Sequence, residues 1–361
     1  MADDRRTKTL PAPSDRPATS DRKDAHLALA ADPLALAAVS AGFETVRLEH
    51  CALPECDLDA VDITTTCLGR DVAAPLFIGS MTGGTAHADA INLALARSAE
   101  ATGLPLAVGS QRASLEAGRS QADLRQMAPS VPLIGNLGGL QLAAASGLDL
   151  ARRAVDDLAA DAIFIHLNPL QEAAQPEGET GWRGVRDAIE SLVASLDVPV
   201  MVKEVGAGIG PDVARQLFDV GVHAIDVAGL GGTNWTRIEV ARREDAEIFA
   251  PFLDWGIPTV TALRAVRAAC PAGRIIGSGG ITDGLEAAKA LWLGASLVSM
   301  AGPVLRALTG DGRGKPDADA AIEVIERWKS QLRLTLFLTG AANLDAFAAV
   351  PGHVSGHMAG R

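Results

Sequence analysis

The sequence predicts a closed barrel of eight parallel β-strands surrounded by helices, the (β/α)8 or TIM barrel, with an N-terminal extension and a C-terminal helix. From about residue 75, short apolar runs alternate with stretches that have helical spacing. The runs are almost continuously apolar, which is typical of parallel strands buried on both faces. Eight such units over about 230 residues match this barrel.

The eight predicted strands share one further property, which is that glycine or polar residues follow most of them. They cover residues 75–81, 105–111, 132–139, 162–168, 198–206, 224–232, 274–281 and 296–302. A doubly wound open sheet is the alternative fold. It would more often carry a single glycine fingerprint near its first strand than glycines after most strands.

The segments outside the barrel have expected roles too. Residues 1–20 are polar and are expected to be a disordered tail, whereas residues 21–74 are expected to cover the barrel and the substrate. The barrel is expected over residues 75–345 with a long insertion at 230–256, and residues 346–361 read as a flexible tail. The helix that follows the barrel should bury Ile322, Ile325, Trp328, Leu332 and Leu336 and stop at Gly340.

Composition limits the class of partner. The 361 residues include 32 Lys and Arg against 44 Asp and Glu, which gives a net charge of −12. The sequence has no basic patch of the kind that binds nucleic acid. The four cysteines have no zinc spacing, the N-terminus has no apolar signal region and no apolar run approaches a membrane span. We therefore expect a cytoplasmic protein that contacts neither nucleic acid nor membrane.

Polar groups gather where the predicted strands end. In such barrels the carboxyl ends of the strands face the active site, so these residues are expected to line one pocket. The residues at these ends, most of them polar or glycine, are Ser80, Met81, Thr82, Gly83, Gly84, Ser110, Gln111, Arg112, Asn136, His166, Asn168, Gln171, Glu172, Lys203, Glu204, Gly231, Gly232, Thr233, Gly279, Gly280, Ala301 and Gly302.

Two details of this pattern indicate a flavin mononucleotide. Glycines precede the helices after strands seven and eight, where this fold usually binds phosphate, and Asp283 and Glu286 are spaced as a capping box. Lys203 lies inside an apolar strand and needs a partner, which Glu204 cannot be, because adjacent strand residues point to opposite faces. An FMN ring with Lys203 at its N1–C2=O edge would satisfy the lysine.

The order of motifs identifies a family resemblance. RKDAH at 22–26, PLFIGSMTGGT at 75–85, HLNPLQE at 166–172, DVAGLGGTNW at 226–235 and GSGGI at 277–281 occur in this order. Over residues 21 to about 340, the chain resembles the type 2, FMN-dependent isopentenyl-diphosphate isomerases.

The resemblance implies an isomerase that converts isopentenyl diphosphate into dimethylallyl diphosphate. It implies reduced FMN, with NADPH or another donor as reductant, together with Mg2+ and a homo-oligomer, a tetramer or octamer. The implied FMN contacts are Met81, Thr82, Gly83, Ser110, Asn136, Lys203, Thr233, Gly279, Gly280, Ala301 and Gly302. The implied substrate contacts are Arg22, Lys23, His26, Ser110, Gln111, Arg112, Asn168 and Gln171, with His166 nearby and Glu172 as the Mg2+ ligand.

The expected chemistry is an allylic proton shift. No carboxylate pair or cysteine in the motifs looks strong enough to protonate an alkene, so the reduced flavin is expected to act as acid and base through N5. Gln171 then orients the substrate, because an amide has no useful pKa, and His166 and Lys203 are the other expected catalytic residues. The segment with Arg22 and Lys23 is expected to close over the substrate.

The sequence is also compatible with other functions. A related barrel enzyme for another prenyl diphosphate is one. An FMN-dependent 2-hydroxy acid oxidase or dehydrogenase is a second, but residues 226–235 lack the His and Arg that such enzymes use after strand six. IMP dehydrogenase would need a cysteine in that loop, and a flavin-binding protein without catalysis would not need so polar a pocket.

Overall fold

Eight parallel strands close into a barrel, which confirms the predicted fold. The computed structural model describes residues 35–81, 83–310 and 315–355. All eight predicted strands are present, and each pairs with its sequence neighbours around the ring. We number the barrel strands β1 Leu76–Ile78, β2 Leu106–Ala107, β3 Leu133–Gly138, β4 Ala162–Leu167, β5 Val200–Glu204, β6 Ala224–Asp226, β7 Ile275–Gly277 and β8 Leu297–Met300.

Helices connect these strands and form the outer layer. The α-helices are Ala86–Thr102, Arg112–Glu116, Ala122–Met127, Gly139–Ala143, Gly147–Leu158, Pro169–Ala174, Val185–Ser195, Pro211–Asp219, Trp235–Val240, Ala246–Phe249, Thr259–Ala269, Gly284–Trp292, Gly302–Thr309, Ala318–Leu338 and Leu344–Phe347. Short 3-10 helices occur at Phe43–Thr45, Leu58–Ala60 and Ala250–Phe252. The predicted insertion after β6 therefore contains three short helical segments.

The lower half of the barrel is filled with side chains. Phe77 and Phe164 stack with ring centroids 6.2 Å apart among buried residues from other strands. A hairpin of strands Thr65–Cys67 and Arg70–Val72 precedes β1, and Leu68 at its turn packs against this interior cluster. Because the interior is packed there, a ligand must bind at the opposite end, where the strands finish.

The helix Ala318–Leu338 has the apolar face that the sequence predicts. Asp317 caps its start by accepting hydrogen bonds from the N–H groups of Asp319 and Ala320. Ile325, Trp328, Leu332 and Leu336 are buried, while Ile322 is only partly buried. The helix ends before Gly340, whose φ of 75° suits glycine.

Among the described residues of the N-terminal extension, those that come first lie near the carboxyl ends of the strands. Ala37 N donates to Gly232 O at 2.9 Å, and Asn234 N donates to Ala35 O at 2.7 Å, so this part runs beside the loop after β6. Residues 43–74 lead away from it to the hairpin that closes the other end. The extension therefore covers both the rim and the bottom.

Residues 346–355, which were expected to belong to a flexible tail at 346–361, are packed against the rest of the fold. Gly352–Val354 pairs antiparallel with Val46–Leu48, and Trp292 Nε1 donates to Val350 O at 3.0 Å. Phe347 is buried and anchors this segment. Its apolar contacts offset the entropy that a loose tail would keep.

Candidate active site

Two adjoining cavities open at the carboxyl ends of the strands. The first, which we call the polar cavity, has a volume of about 230 Å³, and the second, the glycine cavity, about 190 Å³. They share a wall formed by Ser80, Met81, Lys203, Val205 and Trp235. The site is therefore divided into two neighbouring compartments.

The glycine cavity collects most of the residues expected at FMN. Seven of those eleven line it, namely Met81, Lys203, Thr233, Gly279, Gly280, Ala301 and Gly302. Three others, Gly83, Ser110 and Asn136, line the polar cavity, and Thr82 lies outside the described residues. The expected contacts thus surround the shared wall on both sides.

Close backbone packing explains the glycines after β6 and β7. A β-carbon on Gly279 would lie 2.0 Å from Gly229 O, and one on Gly232 would lie 2.6 Å from Gly280 N. The φ angle of Gly279 is +97°, which side chains rarely adopt. Because these positions are glycine, the two loops can approach each other and any ligand that lies between them.

Lys203 is not paired with the neighbouring carboxylate, as the strand geometry predicts. Its Nζ donates to the carbonyl oxygen of Glu204 at 2.6 Å. The Glu204 carboxylate instead accepts from the N–H groups of Val205, Gly206 and Ala207 at 2.5–2.7 Å. Burial lowers the pKa of Lys203, and the charge of Asp226 opposes this change.

Asp226 is a buried carboxylate that the sequence reasoning missed. Its Oδ1 accepts from Ser278 Oγ at 2.5 Å and from Ala228 N at 3.1 Å, whereas Oδ2 has no partner within the described part of the chain. Burial raises its pKa, and the charge of Lys203 lowers it. An aspartate within the apolar run AIDVAG was the available signal. An orphaned buried oxygen in the glycine cavity fits a ligand that brings a donor.

His166 and Asn136 form a fixed pair on the floor of the polar cavity. His166 Nδ1 lies 2.8 Å from Asn136 Oδ1, and Asn136 Nδ2 donates to Val108 O at 3.1 Å. With the amide oriented in this way, Nδ1 carries the proton. Burial, reinforced by Lys203 and Arg112, lowers the pKa of His166 to about 3. The ring is therefore neutral at physiological pH.

The amide of Gln171 is held at both ends. Its oxygen accepts from Asn168 Nδ2 at 3.2 Å, and its nitrogen donates to Glu239 Oε1 at 3.3 Å. Glu239 is fully buried on the helix Trp235–Val240 and pairs with Arg242 at 2.7 Å. Sequence reasoning did not select Glu239, although a glutamate between Ile238 and Val240 offered a weak signal.

Glu172 shares the Asn168 amide donor with this clamp. Its Oε1 accepts from Asn168 Nδ2 at 3.1 Å, and its Oε2 accepts from Glu179 N at 2.9 Å. Among the described residues, no group of three or more His, Cys, Asp or Glu side chains could hold a metal. A metal here would need one protein carboxylate together with oxygens of a ligand, which is a common arrangement for Mg2+.

The expected diphosphate ligands are only partly brought together. Ser110 and Arg112 line the polar cavity, and Arg112 Nη1 lies 3.9 Å from Glu179 Oε1. Gln111 lies elsewhere, since it is fully buried, donates to Ala154 O at 3.0 Å and accepts from Asn136 N at 3.0 Å. It braces β3. Arg22, Lys23 and His26 lie outside the described residues.

The barrel and its glycine cavity define a class of flavin protein. The family model described as FMN-dependent dehydrogenase matches residues 26–129 and 170–350, which is well over half of the chain. The chain is therefore a member of this FMN-dependent barrel family.

Curated relatives narrow the assignment within that class. An isopentenyl-diphosphate delta-isomerase of Stutzerimonas stutzeri is 51% identical, covering 90% of this chain and 94% of its own. One of Xanthobacter autotrophicus is also 51% identical, covering 87% and 91%, and one of Synechocystis is 45% identical, covering 87% and 89%. The chain belongs to the isopentenyl-diphosphate delta-isomerases of the FMN-dependent type, and it is an isomerase.

Solved structures with a similar fold include two of mandelate oxidase. A mandelate oxidase variant with a monooxide FMN adduct has a TM-score of 0.63 and 21% identity, covering 92% of both chains. Mandelate oxidase with (S)-4-hydroxymandelic acid has a TM-score of 0.62 and 20% identity, covering 92% of this chain and 99% of the other. At such identity the likeness concerns the fold alone.

Proposed function

We propose that the chain converts isopentenyl diphosphate into dimethylallyl diphosphate in the polar cavity, with reduced FMN in the glycine cavity. The observation that carries this proposal is the clamped amide of Gln171 beside the wall that the two cavities share. A substrate held by Gln171 would meet the cofactor across that wall. The names of the relatives support the choice of substrate.

The glycine cavity suits FMN for three reasons. Its glycines let backbone N–H groups approach phosphate, Lys203 offers a positive charge at the shared wall, and Asp226 presents an orphaned oxygen. Reduced FMN would supply acid and base chemistry at N5, and NADPH or another donor would reduce it beforehand. The protein then has to position the substrate and keep water away.

The diphosphate would lie in the polar cavity near Ser110 and Arg112. Arg112 offers a bidentate donor for phosphate oxygens, and neutral His166 leaves Nε2 free to interact with a polar substrate group. Asn168 orients both Gln171 and Glu172 through its Nδ2. Glu172 would hold Mg2+ together with the diphosphate. Arg22, Lys23 and His26 are proposed to complete this site.

We also propose a homo-oligomer in the cytoplasm. A tetramer or octamer and a cytoplasmic location follow only from the family resemblance and from the sequence. Among the described residues, no helix is long and apolar enough to cross a membrane.

The proposal is tested by an anaerobic assay of the purified chain with FMN, Mg2+ and isopentenyl diphosphate. Dimethylallyl diphosphate should form only after NADPH or dithionite is added, and NADPH should not be consumed in proportion to product. Omitting Mg2+ or adding EDTA should abolish turnover, and Glu172→Gln should weaken activation by Mg2+.

Parallel reactions distinguish the alternatives. The flavin-loaded protein could fail to make dimethylallyl diphosphate and yet isomerise a longer prenyl diphosphate. The chain would then still be a prenyl-diphosphate isomerase, but its substrate would be the longer compound. Oxidation of (S)-mandelate or another 2-hydroxy acid would replace the proposed function by that of an oxidase. A protein that binds flavin and performs none of these reactions would refute the proposal.

A further inference from the structure

The guanidinium of Arg242 lies between two carboxylates that belong to different strand-end loops. Its Nη1 lies 2.7 Å from Glu239 Oε2, and its Nη2 lies 3.2 Å from Glu177 Oε1. Glu239 is on the helix Trp235–Val240 after β6, and Glu177 is in the loop that follows the helix Pro169–Ala174 after β4. Arg242 therefore joins the loop after β4 to the loop after β6.

The two carboxylates lie in different environments. The side chain of Glu239 is 0% exposed, whereas that of Glu177 is 41% exposed. An exposed ion pair contributes little because water and salt screen it. A buried carboxylate, in contrast, has lost its hydration and depends on the groups around it for compensation. The bond from Arg242 to Glu239 is therefore the more important of the two.

Glu239 presents its two oxygens to different partners. Oε2 faces Arg242, and Oε1 accepts from Gln171 Nε2 at 3.3 Å. The other end of this amide, Gln171 Oε1, accepts from Asn168 Nδ2 at 3.2 Å. Because a carboxylate paired with arginine only accepts hydrogen bonds, it requires the nitrogen of Gln171, and not the oxygen, to face it. Arg242 therefore influences the orientation of Gln171 through Glu239.

Two arginines follow the helix Trp235–Val240, but they serve different contacts. Arg243 pairs with the exposed Asp245 at 2.5 Å and lies over the ring of Phe249, 4.4 Å from its centroid. Only Arg242 of this pair bonds to the carboxylate that holds Gln171. The described residues that line the two cavities do not include Arg242. It can therefore affect the reaction only through other residues.

We propose that Arg242 is a positioning residue of the isomerase, which fixes the amide of Gln171 by holding the carboxylate of Glu239 in place. The proposal deepens the proposed function and rests on it for the role of Gln171. Without the guanidinium, the carboxylate would lose the partner that fixes Oε2, and the amide above it could turn. The substrate would then meet the flavin in more than one orientation, which lowers kcat more than substrate affinity.

A double-mutant cycle in the anaerobic isomerase assay tests this role. Arg242→Met should lower kcat by about 10- to 100-fold and change the KM for isopentenyl diphosphate by less than about threefold. Glu239→Gln should lower kcat in the wild-type chain. In the Arg242→Met chain the same change should raise kcat by about fivefold or more, because it removes a buried charge without a counter-ion. Arg242→Lys should retain part of the activity.

Arg215→Met is the matched control. Arg215 also pairs with a carboxylate three residues earlier, Asp212, at 2.6 Å, but it lies on the outer helix Pro211–Asp219 and its partner is exposed. This variant should leave kcat and KM unchanged. Glu177→Gln removes only the exposed ion pair of Arg242 and should lower kcat far less than Arg242→Met does. Equal losses would show that the guanidinium acts by holding the loop after β4, which would overturn the proposal.

A crystal structure of the Arg242→Met chain gives a readout that does not depend on turnover. The amide of Gln171 should no longer donate to Glu239, and an unchanged contact or a wild-type kcat would overturn the role of Arg242. A wild-type chain that makes no dimethylallyl diphosphate would refute the proposed function, while the position of Gln171 in the variant would still decide the role of Arg242.

A second comparison applies if the Arg242→Met chain does not fold. The Arg242→Met/Glu239→Gln double variant carries no unpaired charge at this position, and it is compared with Glu239→Gln alone. Because Arg242 acts through the carboxylate, the two chains should have kcat values within about threefold of each other. A much lower kcat in the double variant would contradict the proposal.

Discussion

The hydrogen bonds around Gln171 turn a flexible amide into an oriented group. Its oxygen and nitrogen are assigned by two different neighbours, Asn168 and Glu239. If the side chain positions substrate and does not itself donate the proton, its geometry should matter more than its acidity.

Variants that change the charges at the Gln171–Glu239 hydrogen bond test whether Gln171 acts by positioning the substrate. Gln171→Glu places a second carboxylate beside Glu239, and the repulsion should lower kcat by about 100-fold or more. Adding Glu239→Gln restores a donor and an acceptor, so the double variant should recover at least 10-fold of the loss, by the logic of a double-mutant cycle. The steady-state isomerase assay measures both effects.

Gln175→Glu is the matched control, because it adds the same charge to the polar cavity one turn further along, away from Glu239. A single Gln171→Glu variant that keeps or raises the rate would show that the side chain acts as an acid.

His166 should make the stability of the flavin-free chain depend on pH. Its folded pKa is about 3 against an ordinary value of 6.5, so between these values the unfolded chain binds more protons. Stability is therefore fully present above pH 6.5 and declines as the pH falls. Lowering the pH from 6.5 to 5 should cost up to about 2 kcal/mol through this group.

Urea unfolding at both pH values measures that loss, and His166→Gln should remove it. An unchanged pH slope in the variant would mean that the ring is already charged in the folded chain. Kinetically, neutral His166 should contribute no ionisation to kcat between pH 5 and 8.

At the scale of elements, the two helices after β7 and β8 look alike in sequence but differ in what caps them. Gly284–Trp292 is closed by Asp283 and Glu286, as the spacing predicts, with the Glu286 carboxylate accepting from Thr282 N. Gly302–Thr309 is left open. The first helix is therefore stabilised by its side-chain cap, whereas the second has no side-chain cap.

Removing the Asp283 cap should test this. Asp283→Ala should reduce the free energy of unfolding by about 1 kcal/mol, because the Glu286 N–H loses its acceptor. FMN affinity should not change. Denaturant unfolding and flavin titration give the two readouts, and Asp283→Asn, which can still cap, is the control. A large loss of FMN affinity in the Ala variant would show that this cap also supports the flavin site.

How far prediction from sequence succeeds depends on the range of the interactions. Strands and helices follow from local periodicity, and residues at strand ends must converge once the barrel is known, which is why Lys203, Gly279 and Gln171 could be selected. Asp226 and Glu239 could not, because their importance comes from contacts such as Glu239–Gln171, 68 residues apart. Gln111 was misplaced, since the side chain turns into β3 and away from the cavity.

At the scale of the whole molecule, stability and function lie at opposite ends of the barrel. Leu68 packs against the interior cluster at the closed end, and both cavities open at the other. Leu68→Ala should lower the free energy of unfolding by about 1–3 kcal/mol by leaving a void, while kcat and KM change less than twofold. Thermal or urea unfolding and steady-state kinetics measure this. A comparable loss of kcat would show that the two ends are coupled.

The pairing of Gly352–Val354 with Val46–Leu48 affects the order in which the chain can mature. Val46 faces Val354, so the two partners are separated by nearly the whole chain. During synthesis, Val46–Leu48 cannot pair until almost every other residue has left the ribosome. Each βα unit, in contrast, can assemble as it emerges. A nascent chain stalled before residue 352 should thus contain much of the barrel and still lack this clasp, leaving an unpaired edge for a chaperone to shield.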